Sequence, residues 1–317
     1  MKPIYKCLLA GMVLFRTADL HAQEPPENNI LLADPSVYAE KGLYYLYGTG
    51  EATGFKVYTS KDLEHWNDGG FALKKGESFG DRGFWAPQVF KYRGKYHMAY
   101  VANEQIALAT ADSPLGPFKQ TVLKHLKSTQ RQIDPFVLIE NGKIYLYHVR
   151  VDPGNQLFVA EMLPDLSDIR PETLKHCVSA TLPWENTTNS WPVAEGPTVI
   201  KHKGLYYLFY TANDFRNPDY AVGYATSRHP AGPFTKFAGN PVLDKKLVKM
   251  NGTGHGDLFK GPGNKLFYVF HTHFSNTKVG RRRTAIVPLN FEKSAAGGDQ
   301  VVPDASALIW LRETPGK

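Results

Sequence analysis

The sequence predicts an all-β fold, a five-bladed β-propeller, from three observations. A short motif recurs five times, a turn residue follows each copy, and an aromatic-rich run of strand composition follows each turn. A repeat of roughly 50 to 60 residues built from such strands is typical of propeller blades. The motif copies are Asp34-Pro35, Ala86-Pro87, Asp134-Pro135, Gly196-Pro197 and Gly256-Asp257, and the turn residues are Gly42, Gly94, Gly142, Gly204 and Asn264.

The blades follow one another without a break in the repeat. We expect them at about 30–84, 85–132, 133–190, 191–250 and 251–292, with a loop at 294–303 and a last strand of unassigned place at 306–311. The second and fourth blades end in the same pattern, ATADSPLGPF and ATSRHPAGPF, which indicates duplication. A β-sandwich with irregular hairpins is the alternative, but it accounts poorly for five matched copies.

The first 22 residues have the shape of a secretory signal. Lys2 and Lys6 precede an apolar run from Cys7 to Phe15, and small residues continue to Ala22. We therefore expect a signal peptide at 1–22, a single catalytic propeller domain at 23–317, and a secreted or periplasmic protein. An N-terminal helix that stays with the protein is the alternative.

Composition and charge restrict the kinds of molecule that this protein can bind. Cleavage would leave Cys177 as the only cysteine, which excludes an intramolecular disulfide. The net charge of +7 is spread thinly, without the dense basic stripe of a nucleic-acid-binding protein. No later stretch contains the roughly 20 apolar residues that span a membrane. We expect a carbohydrate substrate, no nucleic acid, no membrane and a monomer.

The residues at the motif are chemically unusual for the axis of a propeller. Since the first strand of each blade lines the central channel, the motif copies bring three acids, an indole and an imidazole to one mouth. Placing carboxylates together raises at least one pKa, and such a cost is more often functional than structural. Each residue alone has an ordinary explanation as a turn, core or surface residue. The set is Asp34, Trp85, Asp134, Glu195 and His255, which we predict to occupy one repeat position.

The motif set resembles glycoside hydrolase family 43. The matching segments, within about residues 30–292, are Ala33-Asp34-Pro35-Ser36-Val37, Trp85-Ala86-Pro87, Ile133-Asp134-Pro135, Glu195-Gly196-Pro197 and Gly254-His255-Gly256. One departure is Gln88, where the family often has Asp. The resemblance implies a five-bladed propeller that hydrolyses arabinose- or xylose-containing glycans with inversion.

The resemblance also implies roles for these residues. Asp34 would be the general base, Glu195 the general acid, and Asp134 the group that orients Glu195 and raises its pKa. This division agrees with the chemistry of inversion, in which a carboxylate activates water on one face of the sugar and a protonated acid serves the other. Trp85 would give the sugar an apolar wall.

Two further residues follow from the same resemblance. His255 would contact substrate and, optionally, help to hold a hydrated calcium in the central channel, although no cofactor is required. Arg282 would contact substrate, from the match of Gly280 to Ile286 with the family's Gly-Arg-x-Thr-Ala-Ile segment anchored on Thr284. A solvated basic run is the alternative for that segment.

The leading functional hypothesis is an exported, exo-acting α-L-arabinofuranosidase. A β-xylosidase, an endo-arabinanase and an exo-galactanase remain open, because loops decide the shape of the pocket. The candidate loops are 51–54, 152–156, 184–191 and 213–220, with Trp184 and Trp191 as either sugar platforms or packing residues. A non-catalytic carbohydrate-binding propeller is the alternative from another class, because fold does not imply function. A protein-interaction propeller also remains open.

Overall fold

The computed structural model describes residues 24–151, 153–188, 190–294 and 298–315, which form a five-bladed β-propeller. The predicted signal segment at 1–22 lies outside these residues. Blade 1 contains β1 (Ala33–Glu40), β2 (Leu43–Thr49), β3 (Gly54–Ser60) and β4 (His65–Lys74). Blade 2 contains β5 (Trp85–Tyr92), β6 (Lys95–Ala102) and β7 (Gln105–Ala111). Blade 3 contains β8 (Gln132–Glu140), β9 (Lys143–Val151), β10 (Asn155–Glu161) and β11 (Lys175–Val178).

The remaining blades and helices complete the ring. Blade 4 contains β12 (Ala194–His202), β13 (Leu205–Ala212), β14 (Ala221–Ser227) and β15 (Thr235–Lys236). Blade 5 contains β16 (Gly254–Lys260), β17 (Leu266–Thr272), β18 (Arg283–Lys293) and β19 (Asp299–Pro303), and β20 (Ile309–Trp310) and β21 (Arg312–Glu313) follow. The helical elements are short: α1 (Lys245–Val248) and 3₁₀ turns at Pro171–Thr173, Pro183–Glu185, Pro262–Asn264 and Ala305–Ala307.

The aromatic runs form strands that are buried on both faces, because each blade packs between two others. In β9, Tyr147 and Val149 enter a hydrophobic cluster with blade 4, whereas Ile144 and Leu146 enter a cluster with blade 2. A strand with two buried faces has no need of polar residues at alternate positions, which explains why the runs are so apolar.

The C-terminal segment closes the ring between blades 5 and 1. Strand β20 pairs with β18 of blade 5, and β21 then pairs in parallel with β4 of blade 1. The chain before β1 joins the same seam, since Ile30 N donates to Leu311 O at 2.9 Å. The last strand expected at 306–311 therefore has its place here, at Ile309–Trp310.

The expected loop at 294–303 is wrong in its second half. Residues Asp299–Pro303 form β19, which pairs antiparallel with Leu289–Lys293 of β18 and extends blade 5 beyond the predicted end at 292. Only Val301 and Val302 carry a strand signal in that stretch, and the neighbouring strand supplies the rest by pairing.

Each innermost strand is interrupted at the repeated motif. The pairing register shifts there in all five blades, which marks a β-bulge or a similar irregularity. One residue in each has a positive φ: Asp34 at 48°, Ala86 at 43°, Asp134 at 55°, Gly196 at 59° and His255 at 38°. Residues other than glycine rarely adopt this conformation, and strain of this kind is often found at functional sites.

Candidate active site

The five residues with positive φ surround the propeller axis. They all line a narrow axial channel with free space of about 20 Å³, which is room for about one water molecule. The channel shares Asp34, Asp134 and His255 with a cleft of about 500 Å³. The cleft is lined by all six residues that the sequence singled out: Asp34, Trp85, Asp134, Glu195, His255 and Arg282.

Five of these residues, all except Arg282, were predicted at one repeat position and occupy two neighbouring ones. Asp34, Asp134 and His255 are themselves the residues with positive φ, and they line both the channel and the cleft. Trp85 and Glu195 each lie one residue earlier and line the cleft alone. Because successive side chains of a strand point in different directions, this offset keeps Glu195 out of the narrow channel.

Asp34 lies among positive groups. Its Oδ1 is 3.3 Å from Nδ1 of His255 and 3.8 Å from Nη1 of Arg282. Burial alone would raise the pKa of Asp34, but the charges of His255 and Arg282 and a hydrogen bond from Thr49 outweigh it and lower this pKa to about 2. Asp34 is therefore an ionised carboxylate at neutral pH.

A second histidine supports Asp34 without carrying a charge. Nδ1 of His271 accepts a hydrogen bond from the Asp34 backbone N–H at 3.0 Å, so that nitrogen carries no proton. Burial lowers the pKa of His271 well below its ordinary value. The 3.6 Å approach of this ring to Asp34 Oδ1 is thus a contact of a neutral imidazole and not an ion pair.

Glu195 has neutral partners and a negative neighbour. Tyr220 donates its hydroxyl to Oε1 at 2.7 Å, and the Asn155 amide donates to Oε2 at 2.9 Å. Burial, and then the charge of Asp134, raise the pKa of Glu195 to about 7. Asp134 was predicted to raise this pKa, and burial raises it more. Glu195 can therefore hold a proton near neutral pH.

Asp134 is connected to Glu195 through the backbone. Its Oδ2 accepts a hydrogen bond from Gly196 N at 3.1 Å, and this amide directly follows Glu195. Gly196 must lack a side chain, because a Cβ there would approach the His255 ring to 2.8 Å. Burial and the charge of Asp34 raise the pKa of Asp134, although the charge of His255 opposes them.

His255 lies between the two aspartates. Its Nδ1 is 3.3 Å from Asp34 Oδ1 and 3.9 Å from Asp134 Oδ2. Burial would lower its pKa, but the charges of Asp34 and Asp134 outweigh burial and raise it. The imidazolium thus helps to hold Asp34 ionised.

Exposed aromatic rings line the cleft above the acids. Trp85 is 38% exposed, Trp191 is 49% exposed and Phe215 is 37% exposed, and all three belong to its wall. Trp191 is therefore available as a sugar platform, whereas Trp184 packs against the core of blades 3 and 4 and against Tyr210.

The arginine run separates into one cleft residue and two others. Arg282 lines the cleft, with its guanidinium 4.7 Å from the centre of the Phe215 ring. Arg283 instead donates to Phe274 O, and Arg281 makes a long hydrogen bond to Leu31 O. The anchoring on Thr284 thus selects the arginine that lies beside Asp34.

Several residues of the site carried no motif in the sequence. Thr49, Asn155, Tyr220 and His271 contact the acids, but none of them belongs to the repeated motif. Gln88, the departure from the family pattern, accepts from Val137 N at 2.7 Å and so joins blade 2 to blade 3.

The channel gives little room for the optional hydrated calcium expected beside His255. Within the described residues, no group of three or more His, Cys, Asp or Glu side chains is arranged to hold a metal ion. The imidazole also faces two carboxylates, which raise its pKa and favour its protonated form, and a protonated ring cannot bind a cation. The free space fits about one water molecule. These residues do not fit a hydrated cation well, and no step below depends on one.

The arrangement suits acid–base chemistry on a sugar: an ionised carboxylate and a protonable one, in one cleft walled by aromatic rings. A family comparison agrees, since residues 26–295 match the model of glycosyl hydrolases family 43. The chain belongs to this family. Hydrolases of the family act on glycosidic bonds, as the resemblance of the motif set implied.

The relatives of this family-43 chain carry several different names. A solved structure of an endo-1,4-β-xylanase from Bacteroides thetaiotaomicron is 38% identical, with a TM-score of 0.84, over 92% of this chain and 100% of that one. An extracellular endo-α-(1→5)-L-arabinanase of Bacillus subtilis is 26% identical over 81% of this chain and 83% of its own length. A β-D-galactofuranosidase of Aspergillus niger is 23% identical over 83% and 80%.

Proposed function

We propose that this family-43 hydrolase is an exported, inverting, exo-acting α-L-arabinofuranosidase that releases arabinose from a plant-type glycan. The observation that carries the proposal is the pair of acids in one cleft with opposite pKa shifts, Asp34 at about 2 and Glu195 at about 7. A binding protein has no use for such a difference, which argues against a non-catalytic propeller.

The reaction needs one water molecule and moves two protons. The Asp34 carboxylate takes a proton from the water molecule while the oxygen of that water bonds to the anomeric carbon. The bond from that carbon to the glycosidic oxygen breaks, and Glu195 gives its proton to the departing oxygen. Asp134 orients Glu195 through Gly196. Trp85 provides an apolar wall, and Arg282 and His255 contact the sugar while keeping Asp34 ionised.

The names of the relatives support a furanose substrate and leave a second candidate. An arabinoxylan arabinofuranohydrolase of Bacillus subtilis is 27% identical over 75% of this chain. Its name, like that of the galactofuranosidase described above, refers to a furanose sugar, and the arabinanase is named for arabinan. The solved structure that is 38% identical to this chain is named an endo-1,4-β-xylanase, which favours a β-xylosidic substrate as the second candidate. Endo-arabinanase and exo-galactanase activities are outcomes of the same test.

The test measures release of 4-nitrophenol from α-L-arabinofuranoside, β-D-xylopyranoside and β-D-galactofuranoside, together with chromatography of products from arabinan, arabinoxylan and galactan. We expect the arabinofuranoside to be the best aryl substrate, with single arabinose units released from polymers. Faster hydrolysis of the xyloside, or release of oligosaccharides first, would replace the substrate assignment. Binding without turnover on the whole panel would replace the hydrolase.

The same proposal includes export, a monomeric state and activity without calcium. One relative is named extracellular, and the helices of the described residues are too short to span a bilayer. We expect the mature protein to begin near Gln23, to be a monomer, and to keep its activity in the presence of a calcium chelator. N-terminal sequencing of the secreted protein, light scattering and assay in EDTA test these three points.

A further inference from the structure

Trp191 makes a polar contact that a simple sugar platform would not need. Its indole N–H donates to Oδ1 of Asn155 at 3.1 Å, and Nδ2 of the same amide donates to Oε2 of Glu195 at 2.9 Å. One exposed ring in the cleft wall is thus connected to the proposed acid through a single side chain.

The contact fixes which way the Asn155 amide faces. An asparagine amide has a donating end and an accepting end, and rotation by half a turn exchanges them. An indole N–H can only donate, so it requires the oxygen of Asn155 on its own side. The NH₂ group is then always directed to Glu195.

The backbone holds the two residues in this relation. Asn155 N donates to Pro192 O at 2.8 Å, and Asn155 pairs with Val193 in a parallel bridge. Gly154, at φ 85°, permits this approach, because a Cβ there would lie 2.7 Å from Pro192 O. The segment that carries Trp191 is therefore docked on the start of β10 and continues directly into Glu195.

We propose that Trp191 and Asn155 form a positioning pair for Glu195, in which the indole holds the amide and the amide holds the plane of the carboxyl group. Tyr220 binds the other carboxyl oxygen at 2.7 Å, so that each oxygen has one fixed partner. A sugar that stacks on Trp191 contacts the same side chain that sets the geometry of proton transfer. This inference rests on the proposed role of Glu195 as general acid.

The experiment compares two aryl glycosides of the same sugar, the one that the wild type hydrolyses best. A phenyl leaving group needs the proton from Glu195, whereas a 2,4-dinitrophenyl leaving group departs without one. Asn155→Ala should lower kcat about tenfold or more for the phenyl glycoside and less than about twofold for the dinitrophenyl glycoside. A structural role alone would lower both alike.

Two substitutions separate the functions of Trp191. Trp191→Phe keeps a ring and removes the N–H, so we expect the same dependence on leaving group with an unchanged KM. Trp191→Ala should add a raised KM. Tyr92→Phe is the matched control, since it removes a hydrogen-bond donor to Pro164 O outside the cleft and should change neither parameter.

The outcomes distinguish this inference from the proposed function. Equal losses on both glycosides, or no loss with Trp191→Phe, overturn the positioning pair while Glu195→Gln still impairs the phenyl substrate. If Glu195→Gln has no effect either, the proposed function fails first. Melting temperatures show whether each variant folds. If Asn155→Ala does not fold, Trp191→Phe still provides the result, because Trp191 is exposed and its replacement leaves the core unchanged.

Discussion

Asp34 and Glu195 line the same cleft, but their surroundings favour opposite protonation states. Both are partly buried, and burial acts to raise both pKa values. Around Asp34, His255 and Arg282 reverse that effect, whereas Glu195 has neutral donors and the negative charge of Asp134. The charge of the neighbours, and not the depth of burial, therefore separates a base from an acid here.

The largest effect should come from neutralising either member of the pair. Asp34→Asn and Glu195→Gln should each lower kcat on an unactivated glycoside by about 10²- to 10⁴-fold, because each removes one proton transfer. Steady-state kinetics measure this. Asp112→Asn, which changes an exposed acid paired with Lys95, is the matched control and should act like the wild type. Full activity in either cleft variant would end the assignment of roles.

His255→Gln should bring the pKa of Asp34 closer to that of Glu195. Without the imidazolium, burial is opposed by Arg282 and Thr49 but by no histidine charge, so the pKa of Asp34 rises from about 2 towards or above its ordinary 3.8. The acidic limb of the pH profile of kcat/KM should therefore move to higher pH. An acidic limb at the wild-type position would show that His255 does not set the charge of Asp34.

Glu195 should also make the folded state dependent on pH. Its pKa of about 7 is above the ordinary 4.5, so the folded chain binds the proton more tightly than the unfolded chain does. The resulting stability is fully present below pH 4.5 and is lost as pH rises through 7, by at most about 3 kcal/mol. Denaturant unfolding at pH 5 and pH 8 measures it. Glu195→Gln should abolish this part of the pH dependence, and an unchanged dependence would contradict it.

The smallest effect should come from Tyr220→Phe. The tyrosine hydroxyl donates to Glu195 and favours its ionised form, so its removal raises the pKa of Glu195 further. The basic limb of the pH profile should move upward by less than about one pH unit, as the net worth of one hydrogen bond suggests. A shift to lower pH would mean that Tyr220 stabilises the protonated acid instead.

The repeat made the fold predictable, and its irregularities did not. Five matched turns and aromatic runs specify the inner strands, because a strand buried on both faces has a recognisable composition. The β19 strand at Asp299–Pro303 has little such composition and forms because β18 offers it a free edge. Ring closure by β20 and β21 likewise depends on pairing with strands distant in sequence, which the local sequence does not predict.

The site divides in the same way. The acids and His255 were predicted because a motif copied in each blade must converge at the axis. Arg282 was predicted from the resemblance of the Gly280–Ile286 segment to the family's, with Thr284 as the anchor. The register shift between Glu195 and Thr198 was not visible in the sequence, because it is a property of backbone pairing. Asn155 begins β10 and Tyr220 ends the loop before β14, and their positions beside Glu195 depend on the assembled ring.

The stereochemistry of the released sugar tests the central claim most directly. Proton NMR recorded within the first minutes of hydrolysis identifies the anomer that forms before mutarotation mixes the two. With Asp34 activating a water and Glu195 protonating the leaving oxygen, the first anomer should have the configuration opposite to that of the substrate. Retained configuration would require a covalent intermediate and would contradict the assignment of Asp34 as a general base.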